Sequence, residues 1–283
     1  MKLLVRPSED AIEESAIERL EDRIGDKLGT RDINADYEIL ENFLVVNMDE
    51  ESVPIAVHSL KYLTGISEIY PCVSIGSNDI NAESVVQKIG EENIELDKFR
   101  LSIEGDAEGF SRERLVDLLE GEGYTQDPQG REIKLHLLED RGFISMDMEE
   151  GAGGLPIKEG NTALLPLIDR LYTCAGFLMM KEGYRLVPVV QGGELDAVKE
   201  GVEVLEEYQP GLKPVIVGKD SWKKVVTQSL KILKPDIVVD GRIKGEESLI
   251  DSENLEIPVR SPLKGKSEEE VLELYTEIRP FRV

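Results

Sequence analysis

Residues 151–183 read GAGGLPIKEGNTALLPLIDRLYTCAGFLMMKEG, and the rest of the chain is organised around them. Gly151, Gly153, Gly154 and Pro156 interrupt any helix or central strand, so a joint between domains falls there. Residues 163–167 are an apolar run of strand length. Residues 171–181 then carry apolar side chains at helical spacing, and Gly183 stands where a helix C-cap favours glycine. A strand, a short turn and a helix thus open an α/β domain.

Beyond this unit the chain alternates. Strands are expected at 185–190, 214–217 and 237–239, with helices at 194–207 and 221–233 between them, which implies a parallel, Rossmann-like sheet. Ahead of the joint, 2–6 is a strand and 10–28 a helix with Ile12, Ala16, Ile17, Leu20 and Ile24 at helical spacing. Strand material in 37–48 turns at Glu41-Asn42. A helix over 53–63 stops at Gly65, and a strand over 66–75 is broken by Pro71. This β-α-β-β-α-β order is the ferredoxin-like pattern. A second small unit starts near Asn81 with a short helix, a strand at 98–103, a helix at 111–120 capped by Ser111, and paired strands at 131–138 and 142–148.

The 283 residues carry a net charge of −25, distributed unevenly. Residues 1–150 hold 36 acidic and 15 basic side chains, a balance of −21, and the remainder 22 and 18, a balance of −4. Nucleic-acid affinity comes mainly from Lys and Arg neutralising phosphates, so the first half is poorly suited to holding RNA. Cys72 and Cys174 lack CxxC spacing, and His58 and His136 are the only imidazoles, which argues against a zinc or disulfide framework. No apolar run approaches the roughly 20 residues of a membrane span. The start, MKLLVRPSED, turns acidic too soon for a signal peptide, and a cytoplasmic protein is expected.

The glycine joint, the LL pair and AGFLMMKEGYRLVPVV resemble the linker and first βαβ unit of the tRNA thiouridine synthetases, also called thiamine-biosynthesis sulfurtransferases. The tail is similar too, through Glu253-Asn254-Leu255, Pro262-Leu263, Gly265 and Ser267-Glu268-Glu269-Glu270. The resemblance implies a ferredoxin-like domain over 1–76, a THUMP-like α/β domain over 77–150 and a PP-loop ATPase-like domain over 151–283. KFRLSIEG and the stretch running from Arg131 into the joint support the middle part. The stretch between 190 and 237 is shorter than the family's.

Family members place Ser-Gly-Gly-x-Asp-Ser between that strand and helix as a cradle for ATP phosphates. Leu167, Ile168, Asp169, Arg170, Leu171 and Tyr172 stand at those positions here, and none matches. Phosphate loops work through glycine N–H groups and small hydroxyls, which this segment lacks. The family's tRNA contacts are Lys- and Arg-rich, whereas the equivalent places here read Ser8-Glu9-Asp10-Ala11-Ile12-Glu13-Glu14 and Glu104-Gly105-Asp106-Ala107-Glu108-Gly109. The family's tail runs on into cysteines; here Arg279-Pro280-Phe281-Arg282-Val283 has none. A buried structural thiol is expected for Cys174.

A weaker anion site is conceivable where Gly192-Gly193 and Gly241-Arg242-Ile243-Lys244 follow parallel strands, since open α/β sheets bind ligands at such ends; ordinary turn glycines and solvated cations account for the same residues. Glu246, Glu247 and Asp251 could hold Mg²⁺ or simply form a solvated loop. The expectation is therefore a non-catalytic relative without cofactor, an accessory protein in tRNA modification or sulfur transfer, paired with an active relative or with itself. The alternative is an active ATP- and Mg²⁺-dependent tRNA sulfurtransferase using an external sulfur carrier, and a third reading is a small-anion or nucleotide sensor.

Overall fold

The structure, a computed structural model, describes residues 1–76, 80–92, 94, 96–248, 250 and 255–280. It forms two compact units. One comprises Met1–Pro7, Ile24–Lys61 and Ile66–Gly151, and the other Ser8–Arg23, Tyr62–Gly65 and Ala152–Val283. Among the described residues no helix is long and apolar enough to cross a membrane.

The first unit is built on one mixed sheet. Its strands are β1 (Lys2–Pro7), β2 (Asp36–Leu40), β3 (Phe43–Asn47), β4 (Ile66–Ile75), β5 (Lys98–Gly105), β6 (Thr125–Gln126), β7 (Arg131–Leu138), β8 (Arg141–Ser145) and β9 (Glu149–Glu150). They run in the order β2-β3-β1-β4-β8-β7-β5-β6, with β9 paired to β4. The first four strands, with α1 (Glu14–Gly29) and α2 (Val53–Leu60), keep the β-α-β-β-α-β order of a ferredoxin-like fold. Helices α3 (Ala82–Glu91) and α4 (Arg112–Gly121) cover the other half, burying Val85, Ile89, Leu115 and Leu119 with Phe99, Ile133 and Leu135. Asn81 and Ser111 cap these helices by accepting from Ser84 and Arg114 N–H, which satisfies donors the helix itself leaves open.

Two local expectations need correction, and two short strands were not expected. Helix α1 begins at Glu14, after a 3-10 turn at Glu9–Ala11, so Ile12 lies outside it and is 59% exposed. Strand β4 is unbroken through Pro71, which stands opposite Leu3. On the other side β8 pairs with Cys72–Ile75 and β9 with Glu68–Ile69. Pro71 therefore falls in the gap between partners, where a missing N–H is tolerated. Strands β6 and β9 are two-residue pairings too short to leave a periodic signal.

The sheet curls. Arg6 on β1 pairs with Glu104 on β5, four strand spacings away, about 19 Å in a flat sheet. Arg141 on β8 likewise donates to Glu38 on β2 (2.7 Å), again four spacings distant. Glu139 N–H donates to Glu41 at 2.9 Å, joining two hairpin turns. The concave face thus encloses its own core of Leu4, Leu40, Phe43, Val45, Tyr70, Cys72, Leu138 and Phe143.

The second unit holds a parallel sheet of β10 (Thr162–Pro166), β11 (Arg185–Gln191), β12 (Val215–Val217), β13 (Ile237–Val239) and β14 (Val259–Arg260). The order is β12-β11-β10-β13-β14, with β10 central. Helices α5 (Arg170–Lys181), α6 (Leu195–Tyr208) and α8 (Glu268–Ile278) join one core, in which Cys174, Phe177, Val204, Leu205, Val271 and Ile278 are buried. Helix α7 (Trp222–Leu233) buries Val225 and Val226 against Leu164, Val189 and Val238. Leu164, Leu165, Val189 and Val190 are all within 1% of complete burial, as strands covered on both faces require. The joint needs its glycines: Gly154 has φ +74°, and a Cβ there would sit 2.5 Å from the Lys181 carbonyl oxygen.

Candidate functional site

The carboxyl ends of β10, β11 and β13 are where this sheet type binds ligands. Between β10 and α5 the turn is only Leu167, Ile168 and Asp169. Leu167 is 1% exposed and its N–H donates to Val189 O at 2.9 Å. Asp169 caps α5: its Oδ1 accepts from Leu171 N–H (2.8 Å) and Tyr172 N–H (3.3 Å). Arg170, Leu171 and Tyr172 already form the first helical turn. The N–H groups that a bound anion would use are thus taken by the chain's own carboxylate.

Tyr172 fills the neighbouring space. Its ring lies against Gly241, where an added Cβ would come within 2.8 Å of it. The hydroxyl donates to Asp240 Oδ1 at 3.5 Å. Asp240, 1% exposed, also accepts from Ser261 Oγ (3.3 Å) and lies 3.2 Å from Arg242 Nε. Burial first, and then the Asp240 charge, push the Tyr172 hydroxyl's pKa well above the usual phenol value. Buried Tyr172 and Asp240, with half-buried Ser261 and Arg242, therefore close the end of β13.

The two halves of the expected anion site lie on opposite sides of β10. Gly192-Gly193 follow β11 and Gly241 to Lys244 follow β13, two strand spacings or about 10 Å apart. Gly192 N–H is spent on Val217 O (2.7 Å), Arg242 turns to Asp240, and Lys244 N–H donates to Lys266 O (3.0 Å). The cation that does approach the glycine turn is Lys219, 3.0 Å from where a Gly193 Cβ would stand; sequence reasoning passed over it because it belongs to the next turn along. Beside Asp169 an open cavity of about 620 Å³ is lined by Arg170, Glu200, Tyr275 and Arg279, with Arg279 donating to Glu200 at 2.6 Å. Among the described residues no three acidic, His or Cys side chains gather as a metal site. Asp251, Glu253, Asn254 and the last three residues lie outside the described residues.

In the first unit, Lys98 pairs with Asp127 (2.9 Å) and Arg100 with Glu132 (2.8 Å), so both cations of the β5 edge are engaged by carboxylates. His136, fully buried, has a ring nitrogen 3.4 Å from Glu104 and the other 3.3 Å from Ser145 Oγ. Around it lie Arg6, Glu68, Tyr70 and Lys134, with the Tyr70 hydroxyl donating to Glu68 (2.6 Å) and accepting from Lys134 (2.7 Å). Burial lowers the His136 pKa to about 4 despite Glu104, with Lys134 and Arg6 adding to the fall. No sequence signal pointed to this network, because its members come from strands far apart in the chain. Cys72 and Cys174 are both buried, and burial raises each thiol to about 12. Neither is a thiolate at neutral pH, the form that carries sulfur.

No protein-family model matches the sequence. The "Probable tRNA sulfurtransferase" of Methanocaldococcus jannaschii is 24% identical over 343 residues, an alignment that takes in 100% of this chain and 89% of that protein. Among solved structures, the crystal structure of PH1313 from Pyrococcus horikoshii superposes with a TM-score of 0.75 at 22% identity, covering 98% of this chain and 99% of that one. A 4-thiouridine synthetase solved as an RNA complex with bound ATP superposes with a TM-score of 0.74 at 17% identity, covering 99% and 85%. The chain is thus thiouridine-synthetase-like along its whole length, an α/β protein related to the tRNA sulfurtransferases.

Proposed function

We propose that this protein has left ATP-dependent catalysis behind and serves as a binding or accessory protein in tRNA modification or sulfur transfer. The observation that carries this reading is Asp169: its carboxylate occupies the α5 donors that a phosphate would need. A carboxylate held there also repels a polyphosphate. Three further features point the same way. Tyr172 packs directly against Gly241, the cysteines are buried thiols, and Lys98 and Arg100 are ion-paired.

Calorimetry with Mg-ATP tests the reading, and binding weaker than millimolar is the expected result. Micromolar affinity would favour the alternative, an active sulfurtransferase drawing sulfur from an external carrier, which the full-length relation to a protein of that name supports.

A further inference from the structure

The cavity beside Asp169 lies wholly within the second unit, between the first turns of α5 and α6 and the last turns of α8. Its volume of about 620 Å³ falls inside the range of small-molecule sites, about 300–1,000 Å³. Ile168, Val198 and Leu272 supply its apolar lining. Gly201 of α6 stands against Thr173 of α5, where an added Cβ would come within 2.4 Å of the Thr173 hydroxyl oxygen. A larger residue there would push into the cavity's most buried lining residue, Thr173, which is 1% exposed.

The polar lining separates into one free donor and several acceptors. Arg170 has no side-chain hydrogen bond or ion pair among the described residues. A cation in the first turn of α5 also opposes the helix dipole, so helix stability does not account for it. Arg279, by contrast, spends its charge on Glu200 at 2.6 Å and lies 5.8 Å from the centre of the Tyr275 ring. Thr173 Oγ1 donates to Asp169 O (3.2 Å) and Thr276 Oγ1 to Leu272 O (2.9 Å). A hydroxyl has one proton to give, so toward the cavity both oxygens can only accept. Asp169 and Glu200 balance Arg170 and Arg279 in the lining, which is neutral overall.

We propose that this cavity binds a free α-amino acid with an apolar side chain. The ligand's carboxylate accepts from the Arg170 guanidinium, its ammonium donates to the Thr173 and Thr276 oxygens, and its side chain lies on the apolar lining. A zwitterion suits a neutral site that offers one free cation and proton acceptors. A phosphate or nucleotide fits less well, because a single free cation faces several negative charges and the carboxylates of Asp169 and Glu200 repel them. A polyamine would meet Arg170. The assignment does not depend on whether ATP binds elsewhere on the chain.

Calorimetry of the full chain with L-leucine, L-valine and L-methionine as probes tests this. We expect one-to-one, saturable binding of at least one of them. Its analogues lacking the amino group or the carboxylate should bind at least about tenfold more weakly, since each loses a charge-assisted contact. Arg170→Gln, at an exposed position, should weaken the amino acid about tenfold while leaving the analogue without a carboxylate unaffected. Thr173→Val keeps the side chain's shape, and it should weaken the amino acid while leaving the analogue without an amino group unaffected. Lys213→Gln, an exposed cation outside the cavity, should change nothing. No binding of any of the three at about 10 mM, a concentration that reveals even weak sites, would overturn the proposal. So would binding indifferent to both cavity variants, an analogue with one charge that binds as tightly as the amino acid, or Mg-ATP that competes with it.

Discussion

Lowering the pH should loosen the first unit through His136 before its carboxylates titrate. In the fold this imidazole is 0% exposed and accepts a proton only near pH 4. In the unfolded chain it does so near the ordinary value of about 6.5. Between the two the unfolded state holds more protons, so stability is full above pH 6.5 and falls as the pH drops toward 4. At 1.36 kcal/mol per pH unit the loss amounts to about 2 kcal/mol by pH 5 and about 3 kcal/mol in all. The groups facing the ring are Glu104, Lys134, Arg6, Tyr70 and Ser145. Staying at or above pH 5 keeps most carboxylates ionised, so the window belongs to the histidine. The assay is urea unfolding at pH 7.5, 6 and 5, with hydrogen exchange of the β7 and β8 amides as the local readout. His136→Gln, neutral throughout, should remove the extra slope between pH 6.5 and 5 whatever its stability at pH 7.5. Identical slopes in the native and Gln proteins would refute the reasoning.

Asp169→Ala removes the cap of α5 and should cost about 1 kcal/mol in chemical denaturation; if the carboxylate also bars phosphate, the variant should bind Mg-ATP no more weakly than the parent in calorimetry. Unfractionated tRNA should show no gel shift near physiological salt, because the β5 cations are already paired and the surrounding field is acidic. A shift that weakens on Lys98→Ala and Arg100→Ala would count against this. Alkylation of Cys72 and Cys174 should be slow in the native protein and become fast only in denaturant, since both thiols are buried and un-ionised; mass spectrometry of trapped adducts checks it.

The framework of the second unit was legible because its cues are local. Glycines marked the joint, apolar runs marked β10 and β11, and helical spacing marked α5. What the turn at Leu167 to Asp169 does was only half legible. The missing glycines could be read off directly, whereas Asp169 as a cap required knowing that the helix starts at Arg170. The Tyr172–Gly241 contact joins residues nearly seventy positions apart, and periodicity carries no information about such pairs. Pro71 misled for a related reason: whether a proline breaks a strand depends on what its neighbour does, and the neighbours β8 and β9 lie more than sixty residues on. The His136 network and the curl that assembles it were invisible for the same cause.

That curl has a bearing on how the protein is made. Leu4, Phe43 and Tyr70 leave the ribosome well before Leu138 and Phe143, the residues that complete their core. At about 5–20 residues per second the first four strands wait roughly 4–14 s for the rest. During that interval an apolar half-sheet with an open edge on β4 is exposed, the form of nascent chain most prone to pair with a neighbour. The density of carboxylates over the first 150 residues then acts before folding as well as after it, keeping unfinished chains apart by mutual repulsion.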